Sequence, residues 1–89
     1  MRFTWDERKR QRNLKVHGLD FADARLVFRG PTFTFEDDRL SYGEQRFVTL
    51  GLLEDITVSV VHTESRSRIH LISFRKATRN EQEILFKNF

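Results

Sequence analysis

The feature that most constrains the fold is the run from Glu44 to Arg75, which reads "EQRFVTLGLL", "ED", "ITVSVVHT", "ESRS", "RIHLISFR". Three stretches rich in β-branched, aromatic and aliphatic residues are separated by links of a few polar residues. Parallel neighbours need long crossovers, so the short link after Leu53 predicts a hairpin and the three stretches predict an antiparallel sheet. In the second stretch Ile56, Val58, Val60 and His62 share one side by alternation. In the third, Arg68, His70, Ile72 and Phe74 share one face and Ile69, Leu71, Ser73 and Arg75 the other. Lys76 then falls on the Arg68 face, and Arg68 and Arg75 face opposite ways unless the strand bulges. Glu44 and Arg46, two apart, share a face of the first stretch, where a mutual ion pair is not expected.

The flanks are different. Asp6 is a good N-cap and Gly18 a good residue just past a C-terminus, so residues 7–17 are predicted helical. Trp5, Lys9, Asn13 and His17, at intervals of four, lie along one slowly drifting face of that helix. "LDFADARLVF" predicts a second helix, capped by Asp20 with Asp23 three residues on, burying Phe21, Ala24, Val27 and Phe28. Gly30-Pro31 stops it. "TFTFEDD" reads as a further strand with Phe33 and Phe35 on one face, and "SYGE" as a turn. "MRFTW" reads as a short edge strand. Thr78 with Glu81 forms a capping box for a last helix, "RNEQEILFKNF", with Ile84, Leu85 and Phe89 as inward candidates. The expectation is one α+β domain over residues 1–89: two N-terminal helices, an antiparallel sheet of three to four strands, one C-terminal helix, and helices covering one sheet face.

Composition narrows the chemistry. The 89 residues contain no cysteine, so neither disulfides nor thiolate metal sites organise the chain. Neither a signal peptide nor a spanning apolar run is evident, and a cytoplasmic location is the default. The net charge of +3 conceals segregation. Arg8, Lys9, Arg10, Arg12 and Lys15 crowd the first helix, and Arg66, Arg68, Arg75, Lys76 and Arg79 the last third. Acidic residues gather at Glu36-Asp37-Asp38 and Glu54-Asp55. Such segregation suits a polyanion partner, although basic residues also simply solvate helix faces.

An ordered set of residues resembles a known family. It runs Phe3-x-Trp5-Asp6-x-x-Lys9-x-x-x-Asn13, then His17-Gly18-x-x-Phe21-x-x-Ala24, Glu44-x-Arg46, Gly51 and Val60-Val61-x-Thr63. It ends with Arg68-Ile69-x-x-Ile72-Ser73-x-Arg75-Lys76-Ala77-Thr78 and Glu81. Together these are similar to the BrnT toxins of bacterial type II toxin–antitoxin modules. The resemblance implies a RelE-like ribonuclease held inactive by a BrnA-type antitoxin, which binds operator DNA on behalf of the complex. A toxin dimer within a heterotetramer is one assembly it allows. The chain departs from the family pattern at Val16 (usually basic), His62 (often Tyr), His70 (usually Arg) and Phe74 (usually Ala).

Metal-free RNA cleavage requires a base for the 2′-hydroxyl, an acid for the leaving 5′-oxygen and cations around the phosphate. Arg suits the last task because its fork matches phosphate and stays ionised. The candidate catalytic residues are Lys9, His17, Glu44, Arg46, Arg68 and Arg75, and the candidate RNA contacts are Arg8, Arg12, His70 and Lys76. Neither a cofactor nor a metal is expected, since no Cys/His spacing suits zinc and no glycine-rich phosphate loop is present. Each candidate has a structural alternative. Trp5 packs on the sheet, Asn13 bonds loop backbone, His17 caps free carbonyls, and Ser73 satisfies backbone. His62 is a buried or edge histidine. Lys9 either snorkels along an apolar edge or meets phosphate at a cleft, and Glu44 with Arg46 is either an exposed pair or a base beside a phosphate clamp. Three functions compete: an RNA endonuclease toxin, a non-catalytic nucleic-acid-binding module, and a protein-interaction subunit meeting an acidic antitoxin segment.

Overall fold

The computed structural model describes residues 1–39 and 43–89. Ser41 and Tyr42 of the expected "SYGE" turn lie outside the described residues; Gly43 within it has φ +74°. The elements run β1 (Arg2–Thr4), α1 (Glu7–His17), a 3-10 turn (Phe21–Asp23), α2 (Ala24–Val27), β2 (Phe33–Glu36), β3 (Phe47–Leu53), β4 (Ile56–Ser65), β5 (Arg68–Lys76) and α3 (Arg79–Lys87). The strands form one sheet in the order β1-β5-β4-β3-β2. The class is α+β as expected, but the sheet has five strands and is mixed. β1 pairs parallel with β5, Arg2 opposite Arg68 and Thr4 opposite His70. The other pairs are antiparallel.

Local signals set the helix ends. The Asp6 side chain accepts from the amides of Arg8 and Lys9, and Gly18 closes α1 in the left-handed region at φ +73°. Thr78 and Glu81 form the full capping box of α3. The predicted second helix is shorter and tighter than expected. Asp20 caps a 3-10 turn, and only Ala24–Val27 continues as α-helix before the Gly30-Pro31 stop.

Helices cover both sheet faces, not one. On the first face Leu19, Phe21, Ala24 and Val27 pack on Val58, Val60, Ile69, Leu71 and Phe74, with Phe3, Trp5 and Phe28 at the margin. On the second face Leu85 of α3 packs on Val48 and Leu50, flanked by Phe33, Val61 and Ile84. Strand alternation feeds each face its own residues, which is why β3 is apolar on both sides. α2 approaches β3 so closely that a Cβ at Gly51 would sit 2.6 Å from the Val27 side chain. Phe89 does not pack inward; it is exposed and meets Phe86 edge-on.

One irregularity redirects β5. Val61 is opposite Ser73 but His62 is opposite Leu71, so Ile72 is an extra residue that bulges out of the ladder. Simple alternation therefore fails beyond Leu71. Phe74, opposite Val60, joins Ile69 and Leu71 in the first core. Ser73 and Arg75 swing to the face of Arg68 and His70, while Lys76, opposite Val58, leaves it. The bulge thus gathers on one face the residues that plain alternation divides.

Beyond the three residues of β1 the outer edge of β5 has no strand partner among the described residues, and α1 packs against β5. Asn13, 7% exposed, donates to the carbonyl oxygens of Phe74 (2.8 Å) and Leu19 (2.9 Å) and accepts from the Phe74 amide (3.0 Å). Its amide imitates one residue of a missing strand, which settles its structural reading.

Candidate functional site

α3 packs on the second face over β3, and among the described residues the side chains of that face at the β1–β5 end are exposed or half-buried. There, register places Arg2 beside Arg68, itself opposite Ser65, and Thr4 beside His70, itself opposite Thr63. Arg2, Ser65 and Arg68 are exposed and Thr4, Thr63 and His70 half-buried. Arg46 immediately precedes Phe47, which is opposite His62, so alternation turns it toward this same face.

The β4–β5 turn concentrates the charge. Arg2, Ser65, Arg66, Ser67 and Arg68 line an open hollow of about 290 Å³. Ser67 takes a left-handed backbone, φ +58°, and its carbonyl accepts from the Arg2 amide at 2.9 Å, fixing β1 against the turn. Among the described residues none of the three guanidiniums has a carboxylate partner. Three unneutralised cations around one hollow repel one another and favour a bound anion, and guanidinium forks with serine hydroxyls suit phosphate oxygens. Arg68 was legible as a site residue; Arg2 and Thr4 were not, because only the parallel β1–β5 pairing brings them here. The "SRSR" spacing across the turn was the available signal for Arg66.

The other candidates are placed differently. Lys9, Arg8 and Arg12 are exposed on α1, as is His17 at its last position. Lys9 thus points into water rather than along an apolar edge, and no described cavity joins Lys9 or His17 to Arg68 or Arg75. Arg10, by contrast, is spent on structure: it meets Glu7 at 2.6 Å and Asp20 at 3.1 Å, which raises its pKa further above the ordinary arginine range. Glu44 and Arg46 precede β3 instead of lying within it, and there they do pair, at 3.4 Å. Arg75 grips Glu81 through two contacts of 2.9 and 3.0 Å, tying β5 to the start of α3. Burial raises the Glu81 pKa, but Arg75 and the Thr78 amide outweigh it and hold the carboxyl below its ordinary value. Lys76 sits on the other face, as the bulge requires.

The three histidines differ sharply. His62 is fully buried between Phe28 and Phe47, with Nε2 at 2.7 Å from the Thr49 hydroxyl, which continues to Thr34 at 2.8 Å. Its Nδ1 is buried without a hydrogen-bond partner among the described residues, and the Glu64 carboxylate lies 3.6 Å away. Burial lowers its pKa to about 4. His17 makes no side-chain bond among the described residues and is exposed. His70 is held through Nδ1 by the Thr4 hydroxyl at 2.8 Å.

Comparison with known proteins agrees with this architecture. Residues 5–81 match the family described as "Ribonuclease toxin, BrnT, of type II toxin-antitoxin system". The fold is similar to the crystal structure of the Brucella abortus ribonuclease toxin BrnT, with a TM-score of 0.69 and 30% identity, covering 89% of this chain and 99% of that one. No curated protein matches the chain significantly. With the family match spanning most of its length and a solved relative sharing its fold, the chain belongs to the BrnT ribonuclease toxins of type II toxin–antitoxin systems.

Proposed function

We propose that the protein is a metal-independent RNA endonuclease that blocks translation and growth until a BrnA-like antitoxin neutralises it. The observation that carries this reading is the open second face at the β1–β5 end. There Arg2, Arg66 and Arg68 line an open hollow whose described lining holds no carboxylate, and His70 and Arg46 lie on the same face. The substrate itself supplies the nucleophile, its 2′-hydroxyl. The arginines neutralise the phosphate as a fifth oxygen crowds it, the point where charge stabilisation contributes most.

In this reading Arg68 is the central phosphate clamp and Arg46 an outer one, oriented by Glu44. Lys9, Arg8 and Arg12 on α1 guide the distal RNA strand electrostatically, and His17 takes no chemical step. Arg75 holds the clamp's supporting strand through Glu81. The domain spans the whole chain and is RelE-like in its use of an open sheet face. It works in the cytoplasm, pairs with its antitoxin, and meets operator DNA only through that partner, in a heterotetramer containing two toxins.

The test is growth and RNA integrity after induced expression of wild type, Arg68→Ala and Lys9→Ala, with purified protein assayed on RNA in EDTA. Wild type is expected to arrest growth and cut RNA in EDTA, Arg68→Ala to lose both, and Lys9→Ala to weaken binding only. RNA recovered intact despite salt-sensitive binding would mark a non-catalytic binding module.

A further inference from the structure

Resting on the ribonuclease reading, we propose that His70 is the residue that takes the proton from the attacking 2′-hydroxyl, with Thr4 as its positioning residue. Of the three histidines only His70 combines a fixed ring with an available nitrogen. His62 has a fixed ring, but it is fully buried. His17 is exposed at the end of α1 with no side-chain partner among the described residues, so nothing fixes its ring. His70 is held at Nδ1 by Thr4, 2.8 Å away across the parallel β1–β5 pair. Among the described residues its Nε2 makes no hydrogen bond, and it is not among the fully buried unpartnered atoms; the residue as a whole is half-buried. By register Arg68 lies two residues from His70 on the same face of β5, Arg2 stands beside Arg68 on β1, Thr63 is opposite His70 on β4, and the Arg46–Glu44 pair belongs to the segment before β3. A phosphate held at Arg68 would therefore lie on the same strand face as His70, two residues along β5.

The Thr4 hydroxyl matters because it can accept from Nδ1–H or donate to bare Nδ1. With Nδ1–H donating to Thr4, Nε2 carries the lone pair and takes the 2′-hydroxyl proton. The 2′-oxygen then bonds to phosphorus, the bond to the 5′-oxygen breaks, and that oxygen takes a proton from water. The hydroxide left behind removes the proton from Nε2, giving a 2′,3′-cyclic phosphate, a 5′-hydroxyl and neutral His70. The arginines hold the phosphate charge throughout.

The experiment uses the full chain, purified free of antitoxin, on a defined RNA in EDTA between pH 5 and 9. His70→Ala is expected to lower kcat by about 100-fold or more, with added imidazole restoring a measurable part. Thr4→Val should lower kcat with KM unchanged and displace the acidic limb of the pH profile, whereas Thr4→Ser should behave as wild type. His70→Gln, which can still bond Thr4, substitutes if the alanine variant does not fold. Cleavage by His70→Ala within threefold of wild type, or a loss that imidazole leaves untouched with the pH profile unchanged, overturns the assignment while the ribonuclease reading stands. RNA left intact by wild type overturns both.

Discussion

Acidification below pH 6.5 should weaken the fold through His62. The imidazole is fully buried between Phe28 and Phe47, and burial lowers its pKa from 6.5 to about 4. Between those values the unfolded chain binds a proton that the folded chain refuses. The histidine's contribution is therefore intact above pH 6.5, declines as pH falls toward 4, and changes no further below that. Linkage gives a loss of about 2 kcal/mol from pH 7 to pH 5, and about 3 kcal/mol by pH 4. That is a large part of the roughly 5–15 kcal/mol of a typical domain. Urea unfolding followed by the fluorescence of Trp5, the single tryptophan, measures it at pH 7, 6 and 5. His62→Phe keeps an aromatic between the same rings, and Thr49 keeps its bond to Thr34, so the variant should lack this dependence. The carboxylates that titrate lower down, Glu7 and Glu81, are common to both proteins and cancel in the difference. Equal slopes for wild type and His62→Phe between pH 7 and 5 would refute the argument.

Asn13→Ala orphans the Phe74 amide and carbonyl and should cost about 3 kcal/mol by urea titration, whereas a surface change such as Lys15→Ala on the same helix should cost almost nothing. Gly51→Ala drives a methyl to within 2.6 Å of Val27 and should cost about 1–3 kcal/mol, seen as a lower melting temperature; a neutral result would mean that α2 does not seat on β3. Replacing Arg2, Arg66 and Arg68 together with alanine should weaken RNA binding and flatten the slope of log affinity against log salt by about 2, while the same change at Arg8, Arg12 and Lys15 should flatten it less.

Features fixed by neighbours in sequence were legible in it. Asp6 and Gly18 delimit α1, Thr78 and Glu81 open α3, and the short link at Glu54-Asp55 makes the β3–β4 hairpin, because caps and turns depend on a few adjacent residues. The Ile72 bulge was not legible, since it exists only relative to β4, and with it went the facing of Phe74, Arg75 and Lys76. The parallel seat of β1 on β5 joins residues 66 apart, and no local pattern announces it. Half of the candidate site was hidden for that reason. The cationic first helix was the loudest signal in the sequence, yet it lies away from the hollow. The Arg75–Glu81 bridge similarly converts an apparent phosphate ligand into a brace between β5 and α3.

The way Asn13 occupies the Phe74 amide and carbonyl also decides how this sheet can grow. An incoming extended peptide finds that stretch of β5 already answered, and would have to pry α1 away before zipping onto it. Growth by added strands is thereby steered to the opposite margin, along β2, whose outer side ends the sheet.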